Sequence, residues 1–431
     1  MATAAPAAAV SPPPPDQSFL PTAGPPAPPQ PTEQRDACAA GADHPPAAAT
    51  PGQQLAMLGL PAVWPLTRGA GQTVAVIDTG VARHRLLRHL LPGGDYVSTG
   101  DGTEDCDGHG TLVAGIVAAS GDWSGVAPDA AILAIRQSSN KFGAVQDAGV
   151  TGYGDVQTLA QAIRAAADLG ATIINVSSVA CVAADPDQGA LDDRALGAAL
   201  AYAVDVKNVV VVAAAGNVGG GQCPGQNPTR TAQPDWQNVA SVASPAWYDD
   251  LVLTVGSVDG DGAPSPFSLA GPWVDVAAPG EGVVSLDPDG EGLVDRQFDD
   301  DGAAGKTIAG TSYAAPVVSG IAALVRSRWP HLTARQVMAR IESSAHRPPT
   351  GWDPVVGAGV VDLAAAVSGG APTAPAAPSA RRITAPTSES RDPRPRRIAV
   401  AGAGIGVAAA ILLAASASAR RPRRGDGVAD H

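Results

Sequence analysis

Thr73-Val74-Ala75-Val76-Ile77-Asp78-Thr79-Gly80 sets an unbroken apolar run directly against an acid and a glycine. The run has no polar alternation, so it predicts a strand buried on both faces, as the strands of parallel sheets are. Four further runs share that character: Ala131–Arg136 (AILAIR), 172–177 (TIINVS), 208–215 (NVVVVAAA) and 251–257 (LVLTVGS). Helix-like segments lie between several of them, at 156–169 and 190–204. Strand–helix alternation implies an α/β fold, with a mostly parallel sheet between two helical layers. Sites in such sheets form at the carboxyl ends of strands. Asp78, Ser177 and Asn217 all stand at or just past predicted strand ends.

Three motifs carry chemistry. Val76-Ile77-Asp78-Thr79-Gly80 closes a buried strand with a carboxylate; read alone, it is an ordinary strand-end turn. Asp107-Gly108-His109-Gly110-Thr111 puts an unobstructed imidazole ahead of the apolar run 112–119, which predicts a buried helix. A lone histidine is more often structural, or a metal ligand, yet apart from Cys106 no second His or Cys stands at ligand spacing. Gly310-Thr311-Ser312-Tyr313-Ala314-Ala315-Pro316 opens an apolar helix rich in small residues with a serine. A helix amino terminus presents free N–H groups suited to an oxyanion. An ordinary serine cap requires neither the preceding Gly310 nor the Ala-Ala-Pro that follows.

Taken together in the order Asp, His, Ser on an α/β chain, the motifs follow the order of the subtilisin triad. Residues 53–367 resemble the subtilase family. The resemblance implies a subtilisin-like fold and a serine endopeptidase acting on protein or peptide substrates. Ser312 would be the nucleophile, His109 the general base and acid, and Asp78 the group that orients the imidazole. Ala214-Ala215-Gly216-Asn217 is similar to the subtilase oxyanion motif and makes Asn217 its side-chain donor. The same family places Ser177, Ser178, Val179 and Ala180 along one wall of the S1 pocket, and Ala214, Ala215 and Gly216 along the other. Many digestive subtilases carry two glycines where this chain has Val179 and Ala180, so a narrow slot and small residues before the scissile bond are expected.

Composition divides the rest. Residues 1–52 and the stretch from 368 to about 386 are dominated by Ala and Pro, and are expected to be extended or disordered. The 22 residues 398–419 hold no charge and, as a helix, span about 33 Å, enough for a bilayer core. A buried Ala-rich helix would need something to pack on, and here it follows a Pro-rich linker, 368–397. Arg394, Arg396 and Arg397 precede it and Arg420, Arg421, Arg423 and Arg424 follow, so the tail 420–431 is expected in the cytoplasm and the body outside. Gly402 and Gly406 make a G-x-x-x-G pair within it. Residues 380–431 carry ten Arg and four acids, which leaves −19 on the remainder, a poor nucleic-acid binder. Residues 1–30 lack a basic start followed by an apolar core, so an export signal is expected upstream.

Cys38, Cys106, Cys181 and Cys223 are an even set, which in an exported chain suggests two disulfides in one of three connectivities. Their spacings match no zinc pattern, and no metal or cofactor is expected. Asp287-Pro288-Asp289-Gly290-Glu291-Gly292 has EF-hand-like spacing, but position twelve of such a loop is Phe298, so an acidic surface hairpin is expected there.

The Pro/Ala-rich start, two Cys pairs, Pro-rich tether, one C-terminal span and the sequence Asp105-Cys106-Asp107-Gly108-His109 resemble the mycosins. These are membrane-anchored subtilases of actinobacterial type VII secretion systems. That likeness implies an extension that wraps the catalytic domain without being a removable inhibitor. If the strands before Cys181 and Cys223 are neighbours, their end loops can meet; the likeness points to the same pairing, Cys181–Cys223 with Cys38–Cys106. It also leaves a second role open, as a structural component of a secretion complex with proteolysis secondary.

Overall fold

The computed structural model describes residues 10–39, 53–147, 149–184, 191–219, 223–289, 291–296 and 305–369. The expected membrane helix, the basic tail and all but two residues of the linker lie outside them. Among the described residues, no helix is long and apolar enough to cross a membrane.

The core is a seven-stranded parallel sheet: β1 (Thr73–Asp78), β2 (Leu90–Asp95), β3 (Ala131–Arg136), β4 (Ile173–Val176), β5 (Val210–Ala214), β6 (Leu253–Val258) and β7 (Val276–Pro279), in the spatial order β7-β6-β5-β4-β1-β3-β2. Val74, Ala75, Val76 and Ile77 are wholly buried, as an unalternating run requires. Two strands escaped the sequence reading. In β2 the run is LLPGGD, with a register shift between Pro92 and Gly94; β2 is an edge strand, where a proline costs no ladder bond. The other, β7, is only the four residues VAAP.

Helix α1 (His109–Ala118) packs on α4 (Thr311–Arg328), and both lie on the sheet. α2 (Val156–Asp168), backed by α3 (Arg194–Ala201), covers the other face. α1 is buried from Gly110 through Ala118 and α4 from Tyr313 through Arg326, so both run through the core. α2 starts where a capping box starts it: the Asp155 side chain accepts from Thr158 N at 2.7 Å, and Asp155 N donates to Thr158 Oγ1 at 3.0 Å.

Over 10–39 the N-terminal extension is extended, the first of the two states expected from its composition. Val10 N donates to Trp236 O at 3.0 Å, and the Arg194 guanidinium lies 4.5 Å from the Phe19 ring centre. Arg164 Nη1 reaches Pro21 O at 2.8 Å. Gly94 leaves the space that Pro26 fills, since a Cβ there would sit 2.3 Å from Pro26 Cβ. Thr32–Gln34 then pairs antiparallel with Phe142–Ala144, and Cys38 is bridged to Cys106. Proline fixes φ and so lowers the entropy this segment loses on ordering, which lets a few borrowed hydrogen bonds hold it. The second bridge joins Cys181 to Cys223.

The Cys38–Cys106 bridge closes a separation of 68 residues. Replacing both cysteines by serine should lower unfolding stability by about 2–4 kcal/mol. Limited proteolysis should then cut within 10–39 before the body; denaturant melts unchanged from wild type would show that the strap adds nothing.

Candidate active site

Asp78 ends β1 with its carboxylate 2% exposed. Asp78 Oδ1 accepts from Thr79 N at 2.8 Å and stands 2.7 Å from His109 Nδ1. An ionised carboxylate only accepts, so Nδ1 carries the hydrogen and Nε2 is left as the basic nitrogen. The two elements meet only because glycines line their contact. A Cβ on Gly110 would lie 1.9 Å from Gly80 O, and one on Gly80, at φ +105°, would lie 1.9 Å from Glu104 O. Gly108 caps α1 in the left-handed region, at φ +82°.

The imidazole is 29% exposed. Burial disfavours its charged form, but the Asp78 charge and hydrogen bond, with Asp105 and Asp107 adding, outweigh that and hold its pKa above the ordinary histidine value. The Tyr313 ring lies 5.1 Å from the imidazole; burial, with the charges of Asp78 and Asp105, raises its phenol and keeps it neutral.

Ser312 stands in the first turn of α4, where Thr311 N donates to Asn217 Oδ1 and Tyr313 N to Gly310 O, while the Ser312 N–H faces no intrahelical acceptor. Asn217, just past β5, is aimed by Thr311: its Oδ1 accepts from both Thr311 N and Thr311 Oγ1 at 3.0 Å. That fixes the amide orientation and leaves Nδ2 to the cleft. A Cβ on Gly310 would meet Ser312 Oγ at 3.1 Å and Asn217 Nδ2 at 3.5 Å, so the glycine keeps open the space where they converge. Among the described residues, no hydrogen bond joins Ser312 Oγ to His109. Such contacts are often long without substrate and tighten when it is seated.

Asp78, His109, Ser312 and Asn217 line one open cleft of about 650 Å³. Ser177, Ser178 and Val179 line it too, facing Ser138, Asn140 and Tyr153. The Ser177 hydroxyl is spent on support, donating to Ser312 O at 2.8 Å and accepting from Asn175 Nδ2 at 2.9 Å. Ser319 Oγ donates to Asn175 Oδ1 at 2.8 Å, completing a buried relay under Ser312. The other expected pocket wall is not brought to this cleft. Ala214 and Ala215 are buried, and a Cβ on Gly216 would meet Cys223 Sγ at 3.1 Å and Cys181 Sγ at 3.5 Å. The Cys181–Cys223 disulfide packs against Gly216. The acidic segment forms a hairpin through Ser285–Leu286 and Leu293–Val294, and no group of side chains among the described residues is placed to hold a metal.

The sequence reading passed over Thr79, Asp105, Thr111, Asn175, Thr311 and Ser319. Four of them stand inside the quoted motifs. Their signal was position: each lies one to four residues from Asp78, His109 or Ser312.

The chain matches the subtilase family (Peptidase S8) over residues 69–359. It is 61% identical to Mycosin-4 of Mycobacterium tuberculosis over 367 residues, 84% of this chain and 79% of that protein. The crystal structure of MycP1 from the ESX-1 type VII secretion system is 40% identical, with a TM-score of 0.77, over 86% of this chain and 99% of that one. A chain of an intact ESX-5 inner membrane complex is 39% identical, with a TM-score of 0.78, over 95% of this chain and 100% of that one.

Proposed function

The chain belongs to the subtilase family and, within it, to the mycosins; it is a serine-type endopeptidase, and we propose that Ser312, His109 and Asp78 are its catalytic triad. The observation that carries the assignment is the 2.7 Å contact between His109 and Asp78, opening on a cleft shared with Ser312 and Asn217. Ser312 Oγ attacks the scissile carbonyl as His109 Nε2 takes its proton. Asp78 holds the Nδ1–H and stabilises the imidazolium. The carbonyl oxygen, now negative, is met by Asn217 Nδ2 and the backbone N–H of Ser312. His109 then protonates the leaving amine, and water hydrolyses the acyl-enzyme by the reverse route.

We further propose that the enzyme works beside a type VII secretion complex. The likeness to a chain of the ESX-5 inner membrane complex over 95% of this chain supports this reading. It equally favours a structural share in such an assembly. The uncharged stretch 398–419 with its arginine flanks would anchor the body outside the membrane. Val179 on the cleft wall favours small residues before the scissile bond.

Ser312→Ala should abolish labelling by a fluorophosphonate probe while circular dichroism stays native. Folded wild-type protein that is neither labelled nor active on any peptide sinks the triad. If secretion survives in the Ser312→Ala strain but fails in a deletion, the structural share is the larger one. For topology, a protease added to intact spheroplasts should digest the body and spare a C-terminal tag; loss of the tag reverses the orientation. For specificity, peptides differing only before the scissile bond should show Ala preferred over Phe. Val179→Gly should raise kcat/KM for Phe relative to Ala by about 10-fold, the size of relieving an overpacked contact. An unchanged ratio would move specificity away from Val179.

A further inference from the structure

Asp105 lies four residues before His109 and is not a member of the triad, yet both of its oxygens are fully engaged. Oδ1 accepts from Thr79 Oγ1 and Gly108 N, each at 2.8 Å. Oδ2 accepts from Thr111 N at 2.8 Å and Thr111 Oγ1 at 2.7 Å. Thr79 adjoins Asp78, while Gly108 and Thr111 bracket His109. Thr79 Oγ1 in turn accepts from Gly110 N at 3.0 Å. One carboxylate therefore ties the end of β1 to the start of α1, the two elements whose separation sets the His109–Asp78 contact.

The flanking residues anchor the same loop elsewhere. Cys106 is bridged to Cys38 of the extension, and Asp107 accepts from Ser139 Oγ at 2.5 Å and Asn140 N at 2.6 Å on the facing cleft wall. Three consecutive residues thus fasten the histidine loop to three different parts of the fold, and only Asp105 fastens it to the triad.

We propose that Asp105 is a positioning residue for the triad, which rests on the triad assignment above: it clamps β1 to α1 so that Asp78 meets His109, and its negative charge adds to that of Asp78 in stabilising the imidazolium. All four contacts bring a donor to a carboxylate oxygen, an arrangement that favours the ionised form. Burial, with the Asp78 charge adding, nevertheless holds the Asp105 carboxyl above the ordinary carboxylate value, against the pull of the Thr111 and Thr79 donors. The other titratable groups facing it are Asp78 from β1, His109 and Asp107 from its own loop and α1, and Tyr313 from α4. Of the three carboxylates that raise the His109 pKa, Asp78 acts most strongly and Asp105 next.

Asp105→Asn keeps the shape and removes the charge. The His109 pKa, followed through its imidazole resonances by NMR, should fall, and the acid limb of kcat/KM should move to lower pH with it. The sign follows from losing a negative neighbour, which makes the imidazolium easier to deprotonate. The rate should drop on the order of 10- to 100-fold, mainly in kcat, as for a small misplacement of reacting groups. Asp105→Glu, which restores the charge, should return the pKa towards the wild-type value. A folded Asp105→Asn protein with the wild-type His109 pKa, or a loss confined to KM, overturns the proposal. Should Asp105→Asn not fold, Thr111→Val removes one donor and keeps the charge; wild-type kcat in that variant overturns the clamp. The NMR reading needs no turnover, so a failure of the protease assignment and a failure of this one are told apart.

Discussion

Gly110 lies so close to Gly80 that a single methyl group would sit 1.9 Å from the Gly80 carbonyl oxygen. The backbone entering α1 therefore crosses the backbone leaving β1 at a distance only glycine permits. Everything chemical depends on that crossing. It puts His109 on the first residue of a helix whose other residues are all buried, so the imidazole cannot drift without moving the core. It also sets Asp78 at the mouth of the sheet, where an acid has a partner instead of an unpaired burial cost.

Ser312 is held by a separate device. Ser319, Asn175 and Ser177 pass hydrogen bonds from the middle of α4, through the end of β4, to the carbonyl of Ser312. Thr311 repeats the idea next door, gripping Asn217 with both its N–H and its hydroxyl. Two rigid bodies, β1 with α1 and α4 with β4 and β5, thus each carry half of the site. Their registration comes from α1 packing on α4 and both on the sheet. Placing reacting groups on regular elements rather than on loops limits how far they wander.

Much of this was legible because the physics was local. TVAVID and AILAIR read as strands at the bounds the structure gives them, since burial on both faces leaves no room for polar residues. LLPGGD and VAAP were not legible: their strand character comes from neighbours in the sheet, not from their own composition. The helix predicted over 190–204 begins only at Arg194 and continues past Ala201 as a π turn through Val206, a boundary that no periodicity marks. At the site, the Asp, His and Ser motifs could be read because each pairs a reactive side chain with glycine or a helix start. Asp105 was marked only by its nearness to His109, because its role exists only once Thr79 and Thr111 converge on it from elements 32 positions apart.

The extension shows why composition misleads. Alanine and proline cannot form a core, but they can lie on one. Over 10–39 this segment contributes almost no buried side chain of its own. It supplies what the body lacks: a partner for the strand at Phe142–Ala144, a filler for the space left by Gly94, and a covalent hold on Cys106. Its last described residue, Ala39, donates to Cys106 O at 2.8 Å and stands on the rim of the active-site cleft. A segment that reaches the rim of the cleft at Ala39, and is bridged to the loop carrying His109, behaves as part of the enzyme. Removing it would take away the brace on Cys106 between the two aspartates that fix the histidine loop, so the order of the extension and the order of the site are one property.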